Sequence, residues 1–429
     1  MKIFQNKFLT STCILILSGM ATKLLGLIIK IIFTRIVGNT TISLYTLVMP
    51  TYSLLLSIAD FAMPTTIAKL YAEKKHSYLL NNAIIIIFII NFIMVGGMIL
   101  LSPFIAKNLL NNPNTYPLLI SCSLCLPLSS TACILKGYFY GKQKMLPHAI
   151  SNTIEQLIRL FLVLTILPKL IKISYVYAAC GLILTTIFTE AGSIITFLLF
   201  MPKKDIIDLT KIKFNKQTSQ SIVNMSLPIV NSRIISNIAY FLEPIILTKI
   251  LLYTGFSREY IMLEYGAYNA YAISTLCIPS FFVSAIAMAL IPEITKLKNN
   301  KIAVKRRLKE AFLYAAIVGL FSSLGAYFFR YPLLKFLYNT RLGVDYIKLL
   351  APFFFLFYLE PIFNSFLQCY NKTKEIFKIS VFSSLIKIIC IIIIGLLKKG
   401  IYALIYSEIL NIIIVIVFYS IIMNKTLKN

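Results

Sequence analysis

Apolar stretches of about twenty residues recur along the whole chain, with short polar or basic segments between them. A helix of that length crosses the hydrocarbon core of a bilayer, whereas a transmembrane strand needs only about ten residues of alternating polarity. The pattern therefore predicts an all-α membrane protein with about twelve transmembrane helices. The predicted spans are residues 8–36, 43–68, 79–101, 116–136, 146–168, 174–200, 223–252, 264–292, 310–330, 346–370, 376–397 and 401–423.

The composition agrees with this interpretation. Hydrophobic residues make up 59% of the 429 residues and charged residues 13%, and the mean hydropathy is +0.84. Soluble domains contain about 25% charged residues, and a soluble fold of this length has too little interior to hide so much apolar surface. The bilayer is therefore the solvent for most of these side chains.

The charge is strongly unbalanced, with 42 Lys and Arg against 15 Asp and Glu and a formal net charge of +27. The basic residues lie in short segments between apolar spans, which excludes a nucleic-acid partner and indicates membrane lipids as neighbours. A larger set of basic segments lies at residues 69–75, 136–144, 203–216, 296–307 and 372–378, and a smaller set at 107, 169–172, 258, 330–341 and 398–399. The positive-inside rule then predicts a multi-pass protein of the cytoplasmic membrane with both termini cytoplasmic, which requires an even number of spans.

The longest segment between spans divides the chain into two halves. Residues 201–222 separate an N-terminal six-helix lobe, residues 1–200, from a C-terminal six-helix lobe, residues 223–429. The alternation of apolar and basic residues in the segment predicts a linker on the anionic cytoplasmic leaflet, although a solvated loop fits it nearly as well. The segments that begin at Tyr116 and Tyr346 align without a gap, which predicts parallel, pseudo-symmetric repeats with a substrate site near mid-membrane.

The first predicted span carries cations that do not belong in lipid. Lys23 and Lys30 share one helical face with Gly19 and Gly26, and Arg35 lies near the end of the span. We expect this face to point into the bundle and its cations to line a cavity. The competing interpretation is that the cations reach the headgroups along the bilayer normal, which fits Arg35 better than the more central Lys23.

Further polar residues cluster in spans five and seven. Asn152, Glu155 and Arg159 form one stripe of span five, with Glu155 and Arg159 spaced as a favourable i,i+4 ion pair. We leave open whether this pair lines a cavity or is a self-neutralised structural pair. Arg233 and Asn237 share one face of span seven. Arg159 and Arg233 are therefore candidate substrate-binding cations, and Asn152, Glu155 and Asn237 are candidate supporting groups.

Acidic residues inside the predicted spans are candidates for a role in the cavity or in ion coupling. In span ten, Glu360 precedes a proline and is followed by Asn364 one turn later, so both are candidate cavity groups. Asp60 and Glu190 are candidate ion-coupling residues, for transport driven by H+, Na+ or the membrane potential. Asp60 and Glu190 are equally well explained as counter-charges for a neighbouring lysine.

The residues needed for catalysis are missing from the pattern. The chain has two histidines, His76 and His148, so the sequence predicts no metal site, no catalytic triad and no enzyme activity. Cations facing a cavity imply an anionic substrate, and a diphosphate matches several separated basic groups. A lipid tail on that diphosphate lets the headgroup cross inside the protein while the tail stays among the acyl chains. No cofactor is expected.

Several segments resemble the stage V sporulation protein B-like members of the polysaccharide-transporter branch of the MATE/MOP flippase superfamily, which also holds lipid II flippases. They are "GMATKLLGLIIKIIFTRIVG" (19–38), "PTTIAKLYAEKK" (64–75), "KGYFYGKQKMLPHAISNTIEQLIRL" (136–160), "SLPIVNSRIISNIAYFLEPI" (226–245), "SFFVSAIAMALIPEITK" (280–296) and "APFFFLFYLEPIFNSFLQCYN" (351–371).

The resemblance implies two six-helix lobes, alternating access, and export of undecaprenyl-diphosphate-linked sugars such as lipid II for cell-wall, spore-cortex or polysaccharide synthesis. It implies cell-wall synthesis enzymes as partners. The basic residues of the family's first span fall on Lys23, Lys30 and Arg35, with Lys in place of Arg at the first two, so charge is kept but bidentate phosphate geometry is not. Arg159 and Arg233 keep the family's arginine.

Two other functions fit parts of the pattern. A MATE-type cation-coupled multidrug exporter shares the implied fold, but the basic face of span one disfavours organic cations. A membrane glycan polymerase or ligase needs catalytic acids or bases beside large periplasmic loops, and the loops of this chain are short. We rank it last.

Overall fold

The computed structural model of the chain describes residues 7–73, 78–202, 214–297 and 300–428. In these residues the secondary structure is helical and contains no strand. The first eight helices are α1 (Lys7–Ala59), α2 (Met63–Ala72), α3 (Leu79–Phe104), α4 (Tyr116–Gly141), α5 (Leu146–Thr165), α6 (Leu167–Ile173), α7 (Tyr175–Phe200) and α8 (Lys216–Tyr253). The others are α9 (Arg258–Gly266), α10 (Ser274–Cys277), α11 (Ser280–Leu297), α12 (Lys301–Phe328), α13 (Arg330–Tyr338), α14 (Val344–Phe357), α15 (Glu360–Cys369), α16 (Thr373–Leu396) and α17 (Tyr402–Lys428).

The chain forms two compact units, Met1–Phe241 and Leu242–Asn429, and the division between them falls inside α8. The predicted lobes, residues 1–200 and 223–429, and their basic linker at 201–222 stay a prediction. Much of that segment, residues 203–213, lies outside the described residues.

In the N-terminal unit, α4 packs against α1, α2, α3 and α7. A glycine lets it approach α2 closely. Gly137 has no side chain, and a Cβ there would lie 3.0 Å from the carbonyl oxygen of Met63. Below it, Tyr138 and Phe139 are fully buried, and Phe139 stacks on Phe197 of α7 with ring centroids 5.4 Å apart. These buried aromatic rings of α4 and α7 belong to the hydrophobic core of the unit.

The beginning of α8 belongs to this same unit because buried polar contacts hold it there. Ser226 of α8 shares a hydrogen bond of 2.9 Å with Thr66 of α2. The side-chain oxygen of Asn82, in α3, accepts hydrogen bonds from Ser219 Oγ and from the backbone N–H of Asn215. Such bonds are costly to break away from water, so they fix the position of α8 along α2 and α3.

In the C-terminal unit, α14 packs against α12 and α17, and α11 packs against α15. Tyr358 ends α14 in the buried core, where its hydroxyl donates a hydrogen bond of 2.5 Å to the carbonyl oxygen of Leu276. The chain continues as α15 after one turn, because Pro361 lacks an N–H and begins a new helix. The tenth predicted span is therefore two helices joined by a bend.

The membrane class is confirmed. Within the described part of the chain, nine helices are long and apolar enough to cross a bilayer. The two arms of α1 on either side of Gly38, together with α5, correspond to the remaining predicted spans, 8–36, 43–68 and 146–168. Spans one and two differ from the prediction, because they have no loop between them and meet at the kink at Gly38.

The fourth span is longer than predicted. The predicted span 116–136 ends at Lys136, which was also counted with the basic segment 136–144, whereas α4 continues to Gly141. The predicted end falls short because hydropathy ends a span at the first cation, while an acidic partner on another helix lets the helix continue.

The kink in α1 gives a direct prediction. Gly38 has φ 73° and ψ 179°, a region that residues with a Cβ avoid, while no atom lies within 4 Å of an added Cβ. Gly38→Ala therefore adds backbone strain of about 1–3 kcal/mol without a clash, and we expect a lower thermal unfolding midpoint in lipid nanodiscs. Gly96→Ala, a helical position in α3 with equal free space, is the matched control and leaves the midpoint unchanged or slightly higher. An equal response of both variants contradicts the assigned backbone conformation.

Candidate functional site

A buried Glu–Lys–Glu triad joins three helices of the N-terminal unit. The Nζ of Lys136, in α4, lies 3.3 Å from Glu155 Oε1 of α5 and 3.9 Å from Glu190 Oε2 of α7. The three side chains are 18%, 13% and 15% exposed. A lone charge in such surroundings is costly, so the opposite charges offset one another and fasten α4, α5 and α7 together. We call Lys136, Glu155 and Glu190 the N-terminal triad.

The interpretation of Glu190 as a counter-charge for lysine fits this geometry directly. Its role in ion coupling stays a prediction. Glu155 also takes a different partner from the one predicted, because its ion pair is with Lys136 rather than with Arg159. No ion pair between Glu155 and Arg159 is formed in the described residues. An i,i+4 spacing allows a pair but does not exclude a better partner on another helix.

Arg159 lies one turn further along α5. Its Nε is buried and has no hydrogen-bond partner within the described residues, and its charge is close enough to act on Tyr45 and Glu190. Buried guanidinium donors without partners are uncommon in folded proteins. Arg159 is therefore a cation near the N-terminal triad that has an unused hydrogen-bond donor.

Asp60 lies at a break in the second span. The chain leaves α1 at Ala59 and re-enters a helix at Met63, with Phe61 and Ala62 at positive φ of 45° and 51°. Pro64 in the first turn of α2 disfavours continuation of the preceding helix. Positive φ at residues with side chains is strained and is concentrated at functional sites in proteins.

The break brings Asp60 toward the N-terminal triad. The charges of Lys136 and of Arg233, which lies in α8, are both close enough to act on the Asp60 carboxyl group. Asp60 Oδ1 is buried without a hydrogen-bond partner among the described residues. Two residues predicted separately, Asp60 and Arg233, are thus placed in one charged neighbourhood.

Asn152 lies within hydrogen-bond distance of a histidine. Its Nδ2 lies 3.2 Å from Nε2 of His148, which is also 2.9 Å from the hydroxyl of Tyr140. This group joins the end of α4 to the beginning of α5 across a short turn. Among the residues that the structure describes, no three His, Cys, Asp or Glu side chains are grouped to hold a metal ion.

The cations of α1 differ in their exposure. Helix α1 packs against α5, and a Cβ at Gly26 would lie 3.7 Å from Gln156 Oε1, so Gly26 lies on the side of α1 that faces α5. Lys30 is half-buried, while Lys23 and Arg35 are exposed. The assignment of these three cations to the substrate stays a prediction, as does that of the half-buried Asn237 of α8.

A second Glu–Lys–Glu triad lies in the C-terminal unit. Lys387 Nζ of α16 lies 2.6 Å from Glu243 Oε2 of α8 and 2.5 Å from Glu408 Oε2 of α17. The side chains of Glu243, Lys387 and Glu408 are 6%, 17% and 16% exposed. Sequence reasoning missed Lys387, although the signal was present. It is a central lysine in the apolar span 376–397, and such a residue needs a buried acid on another helix. We call these residues the C-terminal triad.

Glu360 and Asn364 form a local pair in α15. Asn364 Nδ2 donates a hydrogen bond of 3.4 Å to Glu360 Oε1, one turn away. Glu360 is also close enough to Glu408 for the two charges to interact. The predicted cavity role of Glu360 and Asn364 stays a prediction, and the geometry connects them to the C-terminal triad.

Bilayer-length helices with charged groups paired between them define a polytopic membrane protein. The chain belongs to the polysaccharide biosynthesis protein family, which it matches over residues 8–298, and a second family of the same description matches residues 264–429. Stage V sporulation protein B of Bacillus subtilis (strain 168) is 29% identical over 397 residues, which cover 89% of this chain and 77% of that protein.

Two solved structures show the same fold. One is an inward-facing multidrug resistance MATE family transporter of the MOP superfamily, with a TM-score of 0.71 and 12% identity over 95% of this chain and 96% of that one. The other is lipid II flippase MurJ in an inward closed conformation, with a TM-score of 0.70 and 15% identity over 95% of this chain and 87% of that one. The chain thus has the all-α membrane fold of these two transporters, and its match to the polysaccharide biosynthesis protein family confirms the family resemblance seen in the sequence.

The C-terminal triad gives a stability prediction. Lys387→Met leaves Glu243 and Glu408 facing each other without a counter-ion, and breaking a buried pair in this way costs about 3–5 kcal/mol. We expect a marked fall in the thermal unfolding midpoint in nanodiscs, and substantial recovery when Glu243→Gln and Glu408→Gln are added. Lys378→Met in the same helix is the control, because its pair with Glu375 is exposed and contributes less than about 1 kcal/mol. A midpoint for Lys387→Met equal to that of Lys378→Met would refute the triad.

Proposed function

We propose that this protein flips an undecaprenyl-diphosphate-linked sugar, lipid II or a related lipid-linked oligosaccharide, across the cytoplasmic membrane by alternating access. The sugar then serves cell-wall, spore-cortex or polysaccharide synthesis on the outer side, where synthesis enzymes consume it. Both termini are cytoplasmic in this proposal.

One observation carries the proposal. In the predicted spans up to Phe241 there are six cations and three acids. The six cations are Lys23, Lys30, Arg35, Lys136, Arg159 and Arg233, and the three acids are Asp60, Glu155 and Glu190. In the predicted spans after Phe241 the cations and acids balance. An unbalanced positive charge at bilayer depth is costly unless a mobile anion neutralises it.

A diphosphate suits this surplus better than a carboxylate. It carries more charge, and its many acceptor oxygens match cations that come from separate helices, here α1, α5 and α8. The likeness to a lipid II flippase by fold and to a sporulation protein by sequence supports the same class of cargo. An organic cation, the cargo of the rival drug-exporter hypothesis, is repelled by the same surplus.

Removal of single cations tests the proposal. In proteoliposomes that contain labelled lipid II, we expect Lys23→Ala and Arg233→Ala to slow headgroup translocation about 10- to 100-fold, because each removes a charged contact worth about 1.5–3 kcal/mol. Lys305→Ala, an exposed cation at the start of α12, is the control and keeps the wild-type rate. Wild-type rates in Lys23→Ala and Arg233→Ala at equal protein abundance would contradict the proposed cargo contacts.

The orientation has its own test. A reporter fused after Asn429 is expected to be active in the cytoplasm, and one inserted at Gly343, between α13 and α14, is expected to be active outside. The expectation follows from the larger set of basic segments on the side of the termini. Activity of the Asn429 fusion outside the cell would overturn the even number of spans and the orientation together.

A further inference from the structure

The ammonium group of Lys136 has hydrogen-bonding capacity that the N-terminal triad does not use. An ammonium group has three donors. Within the described residues, Glu155 lies at 3.3 Å, while Glu190, at 3.9 Å, is beyond hydrogen-bond distance. The Lys136 side chain is 18% exposed, so it is not sealed from a ligand. The C-terminal triad differs, because Lys387 holds both of its acids at hydrogen-bond distance.

The groups around Lys136 are also incompletely satisfied. Buried atoms without a hydrogen-bond partner within the described ranges include the acceptors Asp60 Oδ1, Glu155 Oε1 and Glu190 Oε2 and the donor Arg159 Nε. An anion fills donors and not acceptors. The donors of Arg159 and Lys136 are therefore the ones that a phosphate would take.

The charge of the unit indicates which kind of group that is. Cations outnumber acids two to one in its predicted spans, so an additional cation is disfavoured and an anion is favoured. Two further cations act on acids of this neighbourhood, Arg159 on Glu190 and Arg233 on Asp60. Together with Lys136 they come from α4, α5 and α8, which suits an anion with several separated acceptor oxygens.

We propose that Lys136 is a further phosphate-binding residue, and that Glu155 and Glu190 hold its ammonium group in place between cargo molecules. The assignment rests on the proposed function and specifies one more contact for the same diphosphate. In the absence of cargo, the two acids offset the cost of a cation at this depth. When a phosphate arrives, it takes the donors that Glu190 leaves free.

This role has a consequence that a structural role lacks, namely opposite effects of the two partners. Lys136→Met removes a phosphate contact and weakens binding. Glu190→Gln removes a negative charge from the approach of the phosphate and strengthens binding, while the ion pair between Lys136 and Glu155 remains. If the triad only fastened helices, both substitutions would act in the same direction through lost stability.

The experiment uses the full chain in nanodiscs and farnesyl diphosphate as a short-chain probe, with farnesol as the comparison ligand. We expect Lys136→Met to weaken farnesyl diphosphate binding about tenfold or more, since it removes a contact to a charged group. We expect Lys136→Arg to restore most of the affinity and Glu190→Gln to bind severalfold more tightly than wild type. Farnesol binding is expected to be unchanged in all three. Lys305→Met is the surface control.

A second variant guards against loss of folding in Lys136→Met, which leaves two buried acids unpaired. Lys136→Met combined with Glu155→Gln and Glu190→Gln removes every charge of the triad, so it is expected to fold and still bind the diphosphate weakly. The reference for this triple variant is Glu155→Gln combined with Glu190→Gln, because removal of the acids alone strengthens binding. Equal affinity of the triple variant and this reference would show that Lys136 is only a counter-ion and would overturn the proposal. If wild type binds the probe and Arg233→Ala loses it while Lys136→Met keeps it, only the Lys136 assignment fails. If wild type binds no diphosphate, the proposed function fails as well.

Discussion

A charge buried at bilayer depth must be neutralised, and this constraint organises both units of the protein. Each unit contains a lysine between two glutamates that come from different helices, Lys136 in one and Lys387 in the other. In an apolar bundle without a water-driven hydrophobic effect, such contacts and close packing at small residues are what determines how helices meet. The two triads therefore fix helix register where apolar side chains alone would allow sliding.

The two triads differ in a way that separates architecture from function. Lys387 holds both of its acids at 2.5–2.6 Å, in a unit whose span charges balance. Lys136 holds one acid closely and one loosely, in a unit with a surplus of cations and beside the strained break at Phe61 and Ala62. A tight cluster in a unit of balanced charge suits a structural role. A loose cluster in a positive unit suits a place where an anion is received and released.

Much of the fold was predictable from hydropathy, because a bilayer forces backbone polar groups into helices wherever apolar residues run on for about twenty positions. The span boundaries failed where the physics is not local. Lys136 ended the fourth span in the prediction because its acidic partners lie on α5 and α7. The candidate site was found in part, since Glu155, Glu190, Asp60 and Arg233 were all marked by charge inside a span. Lys136 and Lys387, the lysines that complete the triads, were not recognised, because pairing between helices cannot be deduced from spacing along one helix.

The account depends on the N-terminal unit's positive charge serving an anionic cargo, and a direct choice between cargos tests it. Purified full-length protein would be reconstituted into proteoliposomes with labelled lipid II in one set and a cationic dye in another, and translocation of each would be measured against protein-free vesicles. The account predicts that lipid II headgroups cross and that the dye does not. Transport of the dye without lipid II would contradict it and would assign the shared fold to cation export.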